Sequence, residues 1–200
     1  MITEINPYCM TETEVLDVIP ETPTIKSLRL RPKEPIPFRP GQFIELSIPG
    51  LGEAPFTPSS RAGKGDVMDV TIMRVGRVTQ KIHHLKPGER IGLRGPYGSG
   101  YPLDAFKDQE VLVVGGGCGF APLRSLMYAF FEMSDQLKKL TFRGGCKAPK
   151  EILYRSELEG WRERKDLDFQ LTVDVGDEEW DGPVGVVTEI LDDVQMDFTK

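Results

Sequence analysis

Four apolar residues, Val111 to Val114, run straight into glycines at 115, 116, 117 and 119, and a helix pattern follows at once. That order restricts the architectures open to the chain. A short, continuously apolar run rich in valine suits a strand covered on both faces, as in a parallel sheet. From Leu123 the apolar residues recur at Leu126, Met127, Phe130 and Phe131, which draws one apolar stripe along a helix. Pro122 fits the first turn of that helix, where a missing N–H costs nothing. Between strand and helix, Gly115, Gly116, Gly117 and Gly119 can take positive φ and leave no Cβ in front of a ligand. Free N–H groups and the positive end of the helix dipole make the same place attractive to phosphate. The stretch departs from GxGxxG, because Phe120 holds the third position, and no GxxxxGK[ST] is present. Taken alone it leaves two readings open: a phosphate cradle, or a tight strand-to-helix turn without a ligand.

The rest of the chain divides by hydrophobic period. Up to about Asp104, apolar and polar residues alternate: Leu28 and Leu30 with Arg29 and Arg31, and Ile44, Leu46 and Ile48 with Glu45 and Ser47. That alternation marks half-buried antiparallel strands. Further strands are expected at 14–19, 67–73 and 90–94, with turn-rich pieces between them and one helical piece at 79–85. Beyond "GPYGSGYPLDAFKDQE" strands and helices alternate. The strand at 111–114 and the long helix lead to a strand near 140–142, a helix opened by Pro149 and carrying Tyr154, Leu158 and Trp161, and a third strand at Phe169, Leu171 and Val173. The expected architecture is therefore two domains: an N-terminal antiparallel Greek-key β-barrel over 1–104, and an α/β Rossmann-like nucleotide-binding domain over 105–200.

Composition narrows the function. A net charge of -6 argues against a nucleic-acid partner, which would favour a basic face. No apolar run reaches the roughly 18 residues of a membrane span, and the acidic, proline-bearing N-terminus does not read as a signal peptide. The three cysteines, Cys9, Cys118 and Cys146, are scattered without a CxxC, which points to a reducing, cytoplasmic compartment.

A second anion-ready place lies in "TIMRVGRVTQKIHHL". There Gly76 precedes a helix start at Thr79, with Arg74 and Arg77 nearby. Upstream, "APFTPSS" carries an aromatic, Phe56, and a hydroxyl, Thr57. Two such helix starts in two domains suggest two nucleotides. At this point the chain resembles the ferredoxin–NADP reductase superfamily. More narrowly, it resembles the flavin-binding electron-transfer subunits of sulfhydrogenases, anaerobic sulfite reductases and dihydroorotate dehydrogenase. The pieces that carry the resemblance are collinear: "FRPGQFIELSIPG", "GEAPFTPSS", "MRVGRVTQKIHHLKPGERIGLRGPYGSGYP", "VLVVGGGCGFAPLRSL" and "APKEILYRSELEGW".

The resemblance implies FAD on the barrel and NAD(P)H on the α/β half, with the two rings meeting between them. Ala54, Pro55, Phe56 and Thr57 would lie along the isoalloxazine, with Phe56 packing on the ring and Thr57 tuning N5 as the residue assigned to catalysis. Ile72, Met73 and Arg74 would run beside the ribityl and phosphate, and Gly76, Val78 and Thr79 would cradle the pyrophosphate. Gly115, Gly116, Gly117, Cys118, Gly119, Phe120, Ala121 and Pro122 would hold the dinucleotide phosphates, and Gly145, Lys147 and Asp174 would approach the adenosine. Acids around Asp174 would repel a 2′-phosphate, which modestly favours NADH over NADPH.

Two substitutions set the chain apart from the superfamily pattern. Ala54 stands where an arginine is usual, a charge Arg74 is expected to supply, and Phe56 stands where a tyrosine is usual. The family also continues past "GPVGVVTEILDDVQ" with further strands and, in these subunits, a [2Fe–2S] segment whose four cysteine ligands this chain lacks. The α/β domain is thus expected to be cut short, leaving the 111–114 strand at an edge that is either the mark of a truncated chain or covered by a partner. The function implied is hydride transfer between NAD(P)H and FAD, with electrons passed to an iron–sulfur or hydrogenase- or reductase-type partner subunit. The alternative is a non-catalytic nucleotide-binding or scaffold subunit. His83 and His84 point about 100° apart on a helix, so they are read as surface or supporting residues rather than a metal pair. Cys118 is read as loop packing that lies close to the nicotinamide.

Overall fold

In the computed structural model, which describes residues 6, 8–63 and 65–196, the alternating stretches of the first half pair into one antiparallel sheet. Its strands are β1 (Thr11–Pro20), β2 (Ile25–Pro32), β3 (Phe43–Ile48), β4 (Gly52–Phe56), β5 (Met68–Met73) and β6 (Arg90–Tyr97), in the order β4-β3-β6-β1-β2-β5. Helix α1 (Arg77–Ile82) lies between β5 and β6 in sequence. β6 sits between the two hairpins β1–β2 and β3–β4, which is the Greek-key arrangement. The two ends of the ladder meet where Pro58, just past β4, bridges Val70 and the Ser59 N–H donates to Asp69 O at 2.8 Å. Leu28, Leu30, Ile44, Leu46, Val70, Ile72 and Leu93 fill the barrel, so the residues of one parity face inward as the period of two requires.

The second half forms a parallel sheet of β7 (Glu110–Gly116), β8 (Lys139–Cys146) and β9 (Asp168–Val173), in that order, with helices α2 (Phe120–Glu132) and α3 (Arg155–Arg162) in the crossovers. Rings from both helices and two strands, Phe120, Trp161, Phe142 and Phe169, meet in one cluster, so α2 and α3 cover the same face. Across the other face, Arg143 of β8 donates to Ile190 O at 3.1 Å and pairs with Asp168 at 2.9 Å, tying down the turn Val187–Leu191. β7 is an edge strand among the described residues, and Val114 is partly exposed on it.

Element boundaries differ from the periodic reading where side-chain contacts decide them. α2 begins at Phe120, three residues before its apolar stripe, because the turn Gly117–Gly119 leads directly into it. The helix expected from Pro149 is instead a short turn, Pro149–Glu151, followed by α3 from Arg155. Tyr154 breaks the two apart in a left-handed conformation (φ 54°), held there by Glu21, which accepts from its N–H at 3.1 Å, and by a hydroxyl contact to Thr71 at 2.5 Å.

His83 closes α1 onto the barrel. It is buried, and its Nε2–H donates to Ile72 O at 2.8 Å, while Lys26 donates to its carbonyl at 2.9 Å. Burial holds its pKa below the usual histidine value, and the charges of Lys26, Arg74 and His84 add to that, against the opposing effect of the Ile72 carbonyl. Between the lowered folded value and about 6.5, the unfolded chain therefore binds a proton that the folded chain does not. The contribution is fully present above about pH 6.5 and is lost as pH falls through the folded value. Denaturant unfolding at pH 7.5 and 5.5 checks this: the wild type loses stability on acidification, and His83→Gln loses measurably less.

Candidate functional site

Gly76 and Gly119 stand at the starts of α1 and α2, and among the described residues nothing requires glycine at either. Their φ angles, -144° and -65°, are open to any residue, and a Cβ added at either would meet no atom within 4 Å. Both helix starts thus face open space. The neighbouring glycines are constrained by the protein itself. A Cβ on Gly116 would lie 2.0 Å from Gly145 O on the adjacent strand, and Gly117 has φ +53°. The close approach of β7 to β8 and the tight turn into α2 therefore explain Gly116 and Gly117, while open space in front of the backbone is left to explain Gly76 and Gly119.

At α1, Thr79 is buried, and its hydroxyl turns back on its own loop. It accepts from Val75 N–H at 3.0 Å and Gly76 N–H at 2.8 Å and lies 3.0 Å from Gly76 O. This stiffens the loop and leaves the first-turn N–H groups of Arg77 and Val78 without intrahelical partners. Arg74, Gly76 and Arg77 are exposed beside them and Val78 is half-buried. Upstream, Ala54, Pro55 and Phe56 form the end of edge strand β4, and Thr57 follows, half-buried. Among the described residues the Thr57 hydroxyl has no hydrogen-bond partner. Ile72 is fully buried, so its side chain belongs to the barrel core, and its carbonyl is taken by His83. Met73, next to it, emerges at the surface.

The glycine loop meets this end of β5. The turn Gly117–Gly119 packs against β5, and burial pushes the pKa of the Cys118 thiol up, against a smaller opposing effect of the Met73 main chain beside it. Cys118 is thus a packed thiol at the contact between the two lobes. Beyond it, Gly115, Gly116, Gly117, Gly145, Phe142 and Leu171 line a cleft of about 280 Å³ at the C-terminal ends of β7, β8 and β9. A larger cleft of about 790 Å³ shares Ile152, Leu158 and Leu171 with it and runs between α3 and the acidic loop of Asp177, Glu179 and Asp181. Phe120 and Ala121 are buried in the core, and Phe120 packs its ring on Phe142, Tyr154 and Trp161 at the floor of the smaller cleft. Pro122 is half-buried in the first turn of α2. Lys147 and Asp174 are exposed at the ends of β8 and β9, where the Asp174 N–H donates to Cys146 O at 2.9 Å. The sites read on the barrel and on the α/β half come together at Met73 and Cys118.

Periodicity gave no indication of the polar residues around Arg124. It is a charge at 8% exposure on the apolar side of α2, four residues after buried Phe120. A charged residue at a core-facing helix position was the available signal.

Comparison with known proteins bears on both halves. The oxidoreductase FAD-binding domain model matches residues 16–101, and the oxidoreductase NAD-binding domain model matches residues 113–198. The sulfhydrogenase 1 subunit gamma of Pyrococcus furiosus is 34% identical over 168 residues, 82% of this chain and 58% of that protein. A probable dihydroorotate dehydrogenase B (NAD(+)) electron transfer subunit of Thermococcus kodakarensis is 33% identical over 192 residues, covering 96% of this chain and 71% of that one. The chain spans little more than half the length of several curated relatives it matches, as with 54% and 51% of two others. In fold it is similar to a ferredoxin NADP+ reductase from Neisseria gonorrhoeae solved with bound FAD and NADP, at a TM-score of 0.76 and 19% identity over 91% of this chain and 75% of that one.

The two kinds of glycine predict different outcomes. Gly116→Ala drives a methyl into Gly145 O and should cost more than about 1 kcal/mol of stability, the lower end for overpacking. Gly119→Ala should leave the melting temperature unchanged or slightly raised, yet weaken binding of a dinucleotide measured by titration calorimetry.

Proposed function

The chain belongs to the family of oxidoreductases that join an FAD-binding domain to an NAD-binding domain, and on that premise we propose that it is a flavin-dependent electron-transfer subunit. It moves hydride between NAD(P)H and FAD and hands electrons to a partner redox subunit. The observation that carries this reading is the packing of the glycine turn Gly117–Gly119 against β5, by which the strand beside one anion-ready loop meets the other anion-ready loop. FAD, when bound, supplies the hydride chemistry, accepting two electrons and releasing them onward. The protein's part is to hold and orient.

The first-turn N–H groups of α1, with Arg74 and Arg77, hold the flavin pyrophosphate, and Arg74 takes the place of the charge missing at Ala54. Phe56 offers its ring face for stacking. Thr57 offers an unpartnered hydroxyl to the flavin N5 edge. The start of α2 and the glycine loop hold the nicotinamide nucleotide's phosphates, with Gly145, Lys147 and Asp174 toward its adenosine. The exposed carboxylate of Asp174 and the acids that follow favour NADH, because a 2′-phosphate there would be repelled. The lobes divide at residue 104. The protein works in the cytoplasm, a compartment that fits its free cysteines. No described helix is long and apolar enough to cross a membrane.

Reconstitution tests the reading directly. Protein refilled with FAD should turn yellow and bleach on NADH under anaerobic conditions; protein that takes up no flavin at saturation would sink it. Thr57→Val should slow flavin reduction by about 10-fold or more while FAD affinity changes much less, the pattern of a contact that matters chiefly in the transition state. Equal losses in both would remove Thr57 from that role.

A further inference from the structure

We propose that Arg124 is a positioning residue that sets the glycine loop against the flavin-side strand, acting through a buried polar chain between the two lobes. This rests on the reading of the cleft as a flavin and nicotinamide junction. Arg124 lies in α2, two residues past Pro122 and the dinucleotide loop. It reaches across the lobe boundary, its Nη1 donating to Ser59 O at 3.3 Å and Asp69 Oδ2 at 3.4 Å. Ser59 is two residues from Thr57, and Asp69 lies on β5, which ends at Met73. One side chain therefore connects the start of the nicotinamide helix to both segments assigned to the flavin.

The surroundings fix Arg124 in that pose. Its Nε donates to Glu157 Oε2 of α3 at 3.1 Å, and its Nη2 pairs with Glu157 Oε1. The guanidinium lies over the rings of Tyr154 and Tyr128, at 4.4 and 5.4 Å from their centroids. Tyr128 donates to the same Glu157 at 2.6 Å, and Arg29 pairs with Asp69 at 3.0 Å, so the half-buried Glu157 and the buried Asp69 each have two partners. Beside it a hydroxyl chain crosses the same boundary: the Tyr154 hydroxyl meets Thr71 at 2.5 Å, and Thr71 meets Ser27 at 2.8 Å and Ser59 at 2.9 Å. Burial pushes Tyr154 up to about 12, so its hydroxyl keeps its proton.

A planar guanidinium can serve Glu157, Asp69 and Ser59 at once, and a lysine ammonium cannot serve all of them from one position. Arg124→Lys therefore keeps the charge and loosens the alignment. In the FAD-loaded protein, the limiting rate of flavin reduction at saturating NADH, per bound FAD, should fall about 10- to 100-fold, the scale of an ångström-size misplacement. FAD and NADH affinities should stay within about twofold, so the loss falls on kcat rather than KM. Tyr154→Phe removes only one hydroxyl and should show a smaller loss of the same kind, which carries the test if the lysine variant does not fold. In the cofactor-free protein, amide hydrogen exchange should rise at residues 69–73 and 154–158 in both variants, with β1, β3 and β6 unaffected. Wild-type rates per bound FAD in both variants would overturn the proposal, as would exchange that rises throughout the chain together with loss of FAD binding. A wild-type protein that takes up no FAD, or is not bleached by NADH, would instead bring down the cofactor reading on which this one stands.

Discussion

β5 is buried on both of its faces, and the geometry of the whole molecule depends on that. Met68, Val70 and Ile72 fill the barrel, while Asp69 and Thr71, which by period should look into solvent, are covered by the second lobe. A strand with one apolar and one polar face is the ordinary unit of an antiparallel barrel. Here the polar face has become the wall against which α2 and the segment before α3 are set. The strand then ends at Met73, where the glycine loop arrives.

Covering a polar face is costly unless every group finds a partner. Two guanidinium groups, Arg29 and Arg124, balance two carboxylates, Asp69 and Glu157, and the hydroxyls of Ser27, Ser59, Thr71 and Tyr154 form a continuous chain. Arg124 and Asp69 are the buried pair within it, and removing one member of such a pair typically costs about 3–5 kcal/mol, because it strands the other. A fully satisfied network of this kind adds little net stability over an apolar interface, yet it permits only one docking of the lobes. For chemistry that depends on two rings lying about 3–3.5 Å apart, a single docking matters more than a tight one.

The glycines divide in the same spirit. Gly116 and Gly117 serve the fold, one through the approach of Gly145 O and the other through a left-handed turn. Gly76 and Gly119 serve neither packing nor backbone, and both stand in front of helix N-termini. Length matters too: α1 is short and held by Thr79 and His83, so its orientation is set by side chains that fold back onto the backbone rather than by its own helical stability.

Periodicity along the chain made most of the elements legible, along with the change from antiparallel to parallel strands and the two glycine-led helix starts, because these are local patterns of burial and backbone freedom. The barrel order, the point of closure at Pro58 and Val70, and the inward turn of Thr79 were not legible. Nor was the break at Tyr154, which an amphipathic pattern through Trp161 conceals and a contact with Glu21, 133 positions away, imposes. Arg124 and Asp69 are 55 positions apart, and nothing in the neighbourhood of either names the other. A sequence records which face of an element is apolar; which polar groups meet across two elements is decided only when both have packed, since a buried charge has no alternative to the partner that the tertiary structure brings within reach.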